Sequence, residues 1–469
     1  MAMPDRRELI PGFLRREKER LEPPENEFYE LAKAAQRAWY VIQGQSRNVI
    51  DFDLVGGNHT ERILLDALKN TPYKYQMNLI IGKLSEAQDF ADRLDPRLVS
   101  DQHLLDFGKG QVSAMGLYAM RLRGDDLDKY DYIEKTMQVP LVEASDEMRN
   151  DQLNAIHRLA GEVGADLTEE GFQKWRKQKD HELDPDTAQR QLLAAGFNMH
   201  RDKSLFIGER EKTLPVTIKP VYEPAYFYAW SDTNKQTGGF EVRQNFGTES
   251  RPKIWTPGKC EELGPHEIAQ HVGRMAKRKE QIITGKLHPF FGQTTTHGPE
   301  QTVEEGLAMT IAFFIPDAYE RLSPEGKLQI HMTLMKHLEL GNAQLRLLKD
   351  PSTSIDKETA RVKEVITWES ASEIKTWLEE RTDNPLLETY MRGYFEGARR
   401  HIIYSQILSP RGSQEYLRAV DQKPYKADQE ALLVDRIAGS DRRNIKDNIS
   451  EWVMQEFRDI VVSSRPVQA

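Results

Sequence analysis

The residues best suited to chemistry lie together in Gly264-Pro265-His266-Glu267-Ile268-Ala269-Gln270-His271. Imidazole and carboxylate bind a divalent metal without sulfur, and a carboxylate beside such a site can take a proton from water. In zinc-peptidase helices two His at i and i+4 bind the metal and an intervening Glu acts as base. Here the second His is at i+5. On a regular α-helix, i+4 neighbours lie about 40° apart around the axis, and i+5 neighbours about 140° apart. A straight helix would therefore turn the two rings away from each other. Two arrangements repair this. The turn can widen toward π geometry, a distortion often found at functional sites. Alternatively, Pro265 at the first helical position leaves His266 in a frayed first turn, free to swing.

Two His make an incomplete site, because a catalytic zinc usually has three protein ligands and one open position. A third ligand is offered downstream by Thr294-Thr295-Thr296-His297-Gly298-Pro299-Glu300-Gln301-Thr302-Val303-Glu304-Glu305-Gly306-Leu307-Ala308, which runs into the apolar Met309-Thr310-Ile311-Ala312-Phe313-Phe314. An acidic pair opening so apolar a helix is expected to be partly buried. A buried carboxylate is costly without a partner, and a metal is the strongest one available. Glu305 shares a face with Ala308, Met309 and Ala312; Glu304 shares one with Leu307, Ala308 and Ile311. Helical phase does not choose between them. Gly306 would allow another backbone to approach closely.

HExxxH followed some tens of residues later by [QE]-E-G-L-A resembles the signature of the QEGLA-motif family, which includes the microtubule-associated tyrosine carboxypeptidases. Those are gluzincin-like zinc peptidases that trim the terminal Tyr of α-tubulin. The resemblance spans His266 to Ala308 and departs from the common pattern at Ala269-Gln270. It implies one Zn2+ ion held by His266, His271 and Glu305, with Glu267 as catalytic base. Glu304 would accept a hydrogen bond from a His ligand. By analogy of layout, a C-terminal helix would deliver Tyr394, His401 or Tyr404 to the oxyanion. The substrate would be the C-terminus of a peptide or protein. Its carboxylate calls for a cation, for which Arg392, Arg399 and Arg400 are candidates. His297 reads as a turn residue that could face the substrate.

Other features carry blander readings. Arg274, Lys277, Arg278 and Lys279 read first as a solvated helix end complementing the macrodipole, and second as a positive rim to the site. Tyr222, Tyr226, Phe227, Tyr228 and Trp230 read as sheet packing, with a substrate pocket as the alternative. His331 and His337 read as partly buried helix residues. Beside the peptidase stand two other possibilities, a zinc hydrolase of a non-peptide amide and a non-enzymatic regulatory protein with a structural metal.

The elements that must position these residues are mostly helical. Phe28 to Trp39, Asn58 to Leu68, Leu104 to Leu122, Asp151 to Val163 and Thr187 to Ala195 keep helical periodicity or caps. Segments Ser204-Ile207, Leu214-Val221, Ala225-Trp230, Gly239-Phe246 and Lys253-Trp255 alternate and are rich in β-branched and aromatic residues, with a turn at Thr237-Gly238-Gly239. Pro215, Pro220 and Pro224 require at least one edge strand. The expected fold is mainly α with a small antiparallel β-sheet (α+β), of gluzincin-like architecture. A helical N-terminal region (1–150) would precede a catalytic domain (151–469). In the latter the sheet segment covers about 203–256, the zinc helices about 265–281 and 301–315, and a C-terminal helical region 325–469.

Composition narrows the classes. The chain has 469 residues, a charge of -9 and a single cysteine, Cys260. One cysteine excludes an internal disulfide framework and any Cys-rich zinc site. The negative balance gives no overall footing for nucleic acid or an anionic membrane. With no apolar run long enough to span a bilayer and no signal-like start, a cytoplasmic protein is expected.

Overall fold

Short oxygen side chains set the helix starts. Asp101, Ser145, Asp184, Thr256 and Ser323 each accept a backbone N–H of the first turn, satisfying donors that no helical carbonyl can reach. The computed structural model describes residues 23–42, 50–53, 71–178, 182–210, 212–224, 227–234, 237–295, 298–350, 352–440 and 442–465. The expected helix from Asn58 to Leu68, together with Tyr226 and His297, lies outside these residues.

Among the described residues, helices α1 (Glu25–Ile42), α2 (Tyr73–Asp92), α3 (Gln102–Arg123), α4 (Lys129–Met137), α5 (Asp146–Val163), α6 (Glu169–Gln178) and α7 (Pro185–Phe206) come first. Strands β1 (Ile50–Asp53), β2 (Val216–Val221), β3 (Ala229–Thr233), β4 (Phe240–Asn245), β5 (Gly247–Thr248), β6 (Arg251–Pro252) and β7 (Gln293–Thr295) are short. Helix α8 (Pro257–Gly264) leads through a π segment, Pro265–Val272, into α9 (Gly273–Ile283). The rest is α10 (Gln301–Phe314), α11 (Pro324–Lys349), α12 (Ile355–Val365), α13 (Ala371–Asp383), α14 (Pro385–Ile407), α15 (Pro410–Gln422), α16 (Ala427–Ser440) and α17 (Glu451–Ser464). The expected class, mainly helix with a small sheet, is what is found.

Three local expectations are corrected. Ser204-Ile207 is not a strand: it is the last turn of α7 and its cap, with Ile207 N–H bonded to Lys203 O. Lys253-Trp255 pairs with no strand; only Arg251–Pro252 pairs, with β5. The principal sheet is mixed rather than antiparallel. Its order is β2-β4-β3, with β2 parallel and β3 antiparallel to β4. Proline explains the order. Pro220 lies within β2 and has no N–H to offer on both sides, so β2 takes an edge. Proline-free β4 takes the centre and buries Phe240, Val242 and Gln244.

Four apolar clusters fill the interior. One joins α10 to α14–α17 through Leu307, Ile311, Phe395, Ile403 and Leu417. A second gathers α1–α4 around Phe290 and Phe291, which follow α9. A third joins α5 and α6 to α11–α13. The fourth packs the sheet and α7 against Ile268 and Val272 of the π segment. No helix among the described residues is long and apolar enough to cross a membrane.

Candidate metal centre

The π segment resolves the i+5 problem. Its hydrogen bonds run between residues five apart, so His266 and His271 stack on one side of the axis. Their rings meet edge to face with centroids 4.8 Å apart, and their Nε2 atoms are 3.1 Å apart. The segment lies inside a continuous helix from Pro257 to Ile283, so the alternative of a frayed first turn falls. Pro265 still matters. Lacking an N–H, it removes one bond of the α ladder wherever it sits in a helix interior, so a wider turn forfeits less there.

The third residue is Glu305, on α10. Its Oε2 is 3.3 Å from His266 Nε2 and 3.6 Å from His271 Nε2, and all three residues are buried. Gln301 Nε2 donates to the other oxygen at 2.7 Å and fixes the carboxylate's orientation. Zinc bonds to nitrogen or oxygen are about 2.0–2.2 Å long, which makes the edge of a tetrahedron about 3.3–3.6 Å. The measured triangle is close to one face of such a tetrahedron. The donor set and its size therefore fit a metal ion. Electrostatics agree: burial pushes the Glu305 carboxyl up, but the two rings beside it hold it well below its ordinary range. Burial works against the charged form of His271, yet Glu305, with Glu267 and Glu304, raises it to about 10. Metal binding by such a group is coupled to the release of protons from its ligands.

Helix α10 is held close by glycine. A Cβ on Gly306 would lie 2.2 Å from His401 Nδ1 and 2.6 Å from Gly397 Cα. On the other side of the π segment, a Cβ on Gly264 would lie 2.6 Å from Leu192 O of α7. Close backbone approach at both crossings fixes the depth of the ligand helices.

Glu267 is not one of the three converging ligands, though it lies near enough to raise the pKa of His271. Ser231 Oγ, on β3, donates to its Oε2 at 2.6 Å. Ser231 had no motif to reveal it, since it stands 36 residues from its partner. Glu304 faces His271 Nδ1 at 3.9 Å and pairs with Arg274 at 3.1 Å and Arg278 at 3.5 Å. Arg278 also binds Glu300. The basic run is thus neither a solvated end nor a positive rim. Arg274 and Arg278 are buried counter-ions beneath the triad, Lys277 pairs with Glu209, and Lys279 caps Gly238 O.

A cleft of about 150 Å³ reaches the triad at His266 and Glu267. Of the expected oxyanion residues, Tyr394 alone lines it. Its ring stacks on His337 at 4.7 Å and lies parallel to that of His266 at 6.5 Å, and its hydroxyl meets Tyr390 Oη at 3.1 Å. His401 and Tyr404 are core residues. His401 contacts Gly397 O, Tyr416 and Glu430, and Tyr404 packs against Phe457. Arg392 and Arg399 do not reach the cleft either. Arg392 donates to Gly341 O and Val142 O and pairs with Glu396, while Arg399 pairs with Glu396 and Glu456. Arg400 donates to Ala427 O. The cleft's cations are instead Lys259, Lys336 and Arg381. Phe227, Tyr228 and Trp230 line it too, so this aromatic group is more than sheet packing, whereas Tyr222 is exposed.

No protein-family model matches the chain, and no curated protein matches it. A crystal structure assigned as a lipoprotein from Colwellia psychrerythraea is similar at a TM-score of 0.41 and 12% identity over 80% of this chain and 72% of that one. A likeness so distant bears on neither the architecture nor the chemistry.

Proposed function

We propose that this protein is a zinc-dependent peptidase with Glu267 as its general base. The observation that carries the reading is the buried His266, His271 and Glu305 triangle with a further carboxylate near it, on the same π segment but bonded to Ser231 instead of joining the triangle. Two imidazoles and a carboxylate suit a hydrolytic zinc. The same donors serve non-haem iron, but a positioned proton acceptor lining the cleft favours hydrolysis. Bound zinc would supply a Lewis acid and lower the pKa of water to about 7.

The chain's own residues then have separate tasks. Glu267 takes the proton of the attacking water and returns it to the leaving amine. Ser231 holds that carboxylate in one rotamer. Tyr394, on the cleft wall, is the donor to the oxyanion in this reading. β3, an edge of the sheet and the strand that carries Ser231, offers a backbone to an extended substrate. The family resemblance favours a carboxypeptidase acting on a peptide or protein C-terminus.

Glu267→Gln tests the reading. The variant is expected to keep one equivalent of zinc by mass spectrometry and to lose at least ~100-fold in kcat on a peptide library. His271→Ala is expected to lose the metal. Purified protein without zinc, or a Glu267→Gln variant that turns over normally, would overturn it.

A further inference from the structure

The walls of the cleft hold two cations and leave them short of partners. Arg381, on α13, is 4% exposed, yet among the described residues no carboxylate lies within ion-pairing distance of its guanidinium, and its Nε has no hydrogen-bond partner. Such an arrangement is costly, because a buried cation loses its hydration and needs a compensating anion. Lys336, on α11, stands over the Trp377 ring at 4.7 Å and makes no ion pair among the described residues. The other charges of the cleft are accounted for. Lys259 pairs with Glu262, which also accepts from Thr333 Oγ1 at 2.9 Å, and Glu267 is bonded to Ser231. Glu380 remains, one carboxylate against two cations.

We propose that Arg381, assisted by Lys336, is a carboxylate-binding subsite in the cleft, and that it seats a carboxylate of the substrate while the amide to be cut lies at the triad. The proposal rests on the hydrolytic reading for its link to catalysis, but not for the binding itself. A guanidinium presents a planar fork that matches a carboxylate bidentately. Burial brings Arg381 down to about 10, with Glu380 opposing that fall and Arg392 adding to it. An incoming carboxylate would supply the counter-charge that the fold omits. The apolar lining around it, from Leu340, Trp377 and Tyr390, would shield the pair from water and strengthen it. The carboxylate could be the α-carboxylate of a C-terminus or the side chain of an acidic residue, and the chemistry is shared.

Three probes separate these sources by calorimetry with zinc-loaded Glu267→Gln protein, which binds without turning over. They are acetyl-Gly-Gly-Phe as free acid, the same peptide as C-terminal amide, and acetyl-Gly-Glu-Phe amide. At least one carboxylate-bearing peptide is expected to bind tenfold or more tightly than the neutral amide, and which one does so names the source. Adding Arg381→Gln should abolish that preference, Arg381→Lys should restore part of it, and Lys336→Gln should reduce it about threefold. Equal binding of all three peptides, or a preference that survives Arg381→Gln, overturns the proposal. If Arg381→Gln fails to fold, an undiminished preference in Lys336→Gln and Arg381→Lys together overturns it. Binding that favours the carboxylate in a protein whose wild type cleaves no peptide supports the subsite and removes the peptidase reading instead.

Discussion

At the scale of single residues, the site separates holding a metal from moving a proton. His266, His271 and Glu305 converge on one point, while Glu267 is held by one hydroxyl, Ser231 Oγ at 2.6 Å. A hydrogen bond to a charged group is worth about 1.5–3 kcal/mol. Here it also selects a rotamer, so its loss should act on the reaction more than on binding. Ser231→Ala is expected to keep the metal and the KM for a peptide and to lower kcat about tenfold. Steady-state kinetics with metal analysis checks this. A change confined to KM would mean that the serine contacts substrate rather than positioning the base.

At the scale of elements, two crossings set the geometry, and both are made by glycine. Gly306 of α10 meets Gly397 and His401 of α14 so closely that any side chain would strike backbone. Gly306→Ala must push α10 outward and carry Glu305 with it, though residue 306 has no polar atom to offer a metal. Overpacking of this kind costs ~1–3 kcal/mol, and the backbone contact places it at the upper end. The variant is expected to melt several degrees lower and to bind zinc at least tenfold more weakly, measured by competition with a chelating dye. Unchanged zinc affinity would show that the triad tolerates a shift of its helix. Much of this element was legible in the sequence. The i+5 spacing implied either a widened turn or a frayed first turn, and the acidic pair at the start of an apolar helix implied a buried ligand. Helix α14 was harder to read. Tyr394 faces the cleft, but His401, seven residues on, repeats its direction about 10 Å further along the axis, beneath α10. Arg392 and Arg399 lie about 160° and 140° around the axis from Tyr394, which puts them among Glu396, Glu456 and carbonyl oxygens. Sequence gave the face of no single anchor on α14, so these phases could not be assigned. Lys336 and Arg381 reach the cleft, and Ser231 reaches Glu267, from separate elements, through contacts that no local pattern encodes.

At the scale of the whole molecule, the charge of -9 hides an interior rich in compensated ions and neutral imidazoles. The cleft is locally cationic because Arg381 and Lys336 face it, not because of the basic run after the motif. Elsewhere in the molecule, His331 joins α11 to α5 and to the chain before it. Its Nδ1–H donates to Gln152 Oε1 at 2.8 Å, and its Nε2 accepts from the Tyr319 hydroxyl at 2.7 Å. This is the bonding of a neutral ring, and burial, with Arg158 adding to it, lowers its pKa from 6.5 to about 4. Between those values the unfolded chain binds a proton that the folded one refuses. Stability is therefore complete above pH ~6.5 and declines as the pH falls toward 4, by roughly 2 kcal/mol at pH 5 from this residue. His331→Gln keeps one donor and one acceptor but cannot titrate. Melting curves at pH 7.5 and 5.0, recorded in chelator so that metal loss does not contribute, should show the wild type falling further than the variant by about 2 °C for a chain of this size. An equal fall in both would mean that His331 is protonated without cost, and that the acid sensitivity of the fold resides in its other buried histidines.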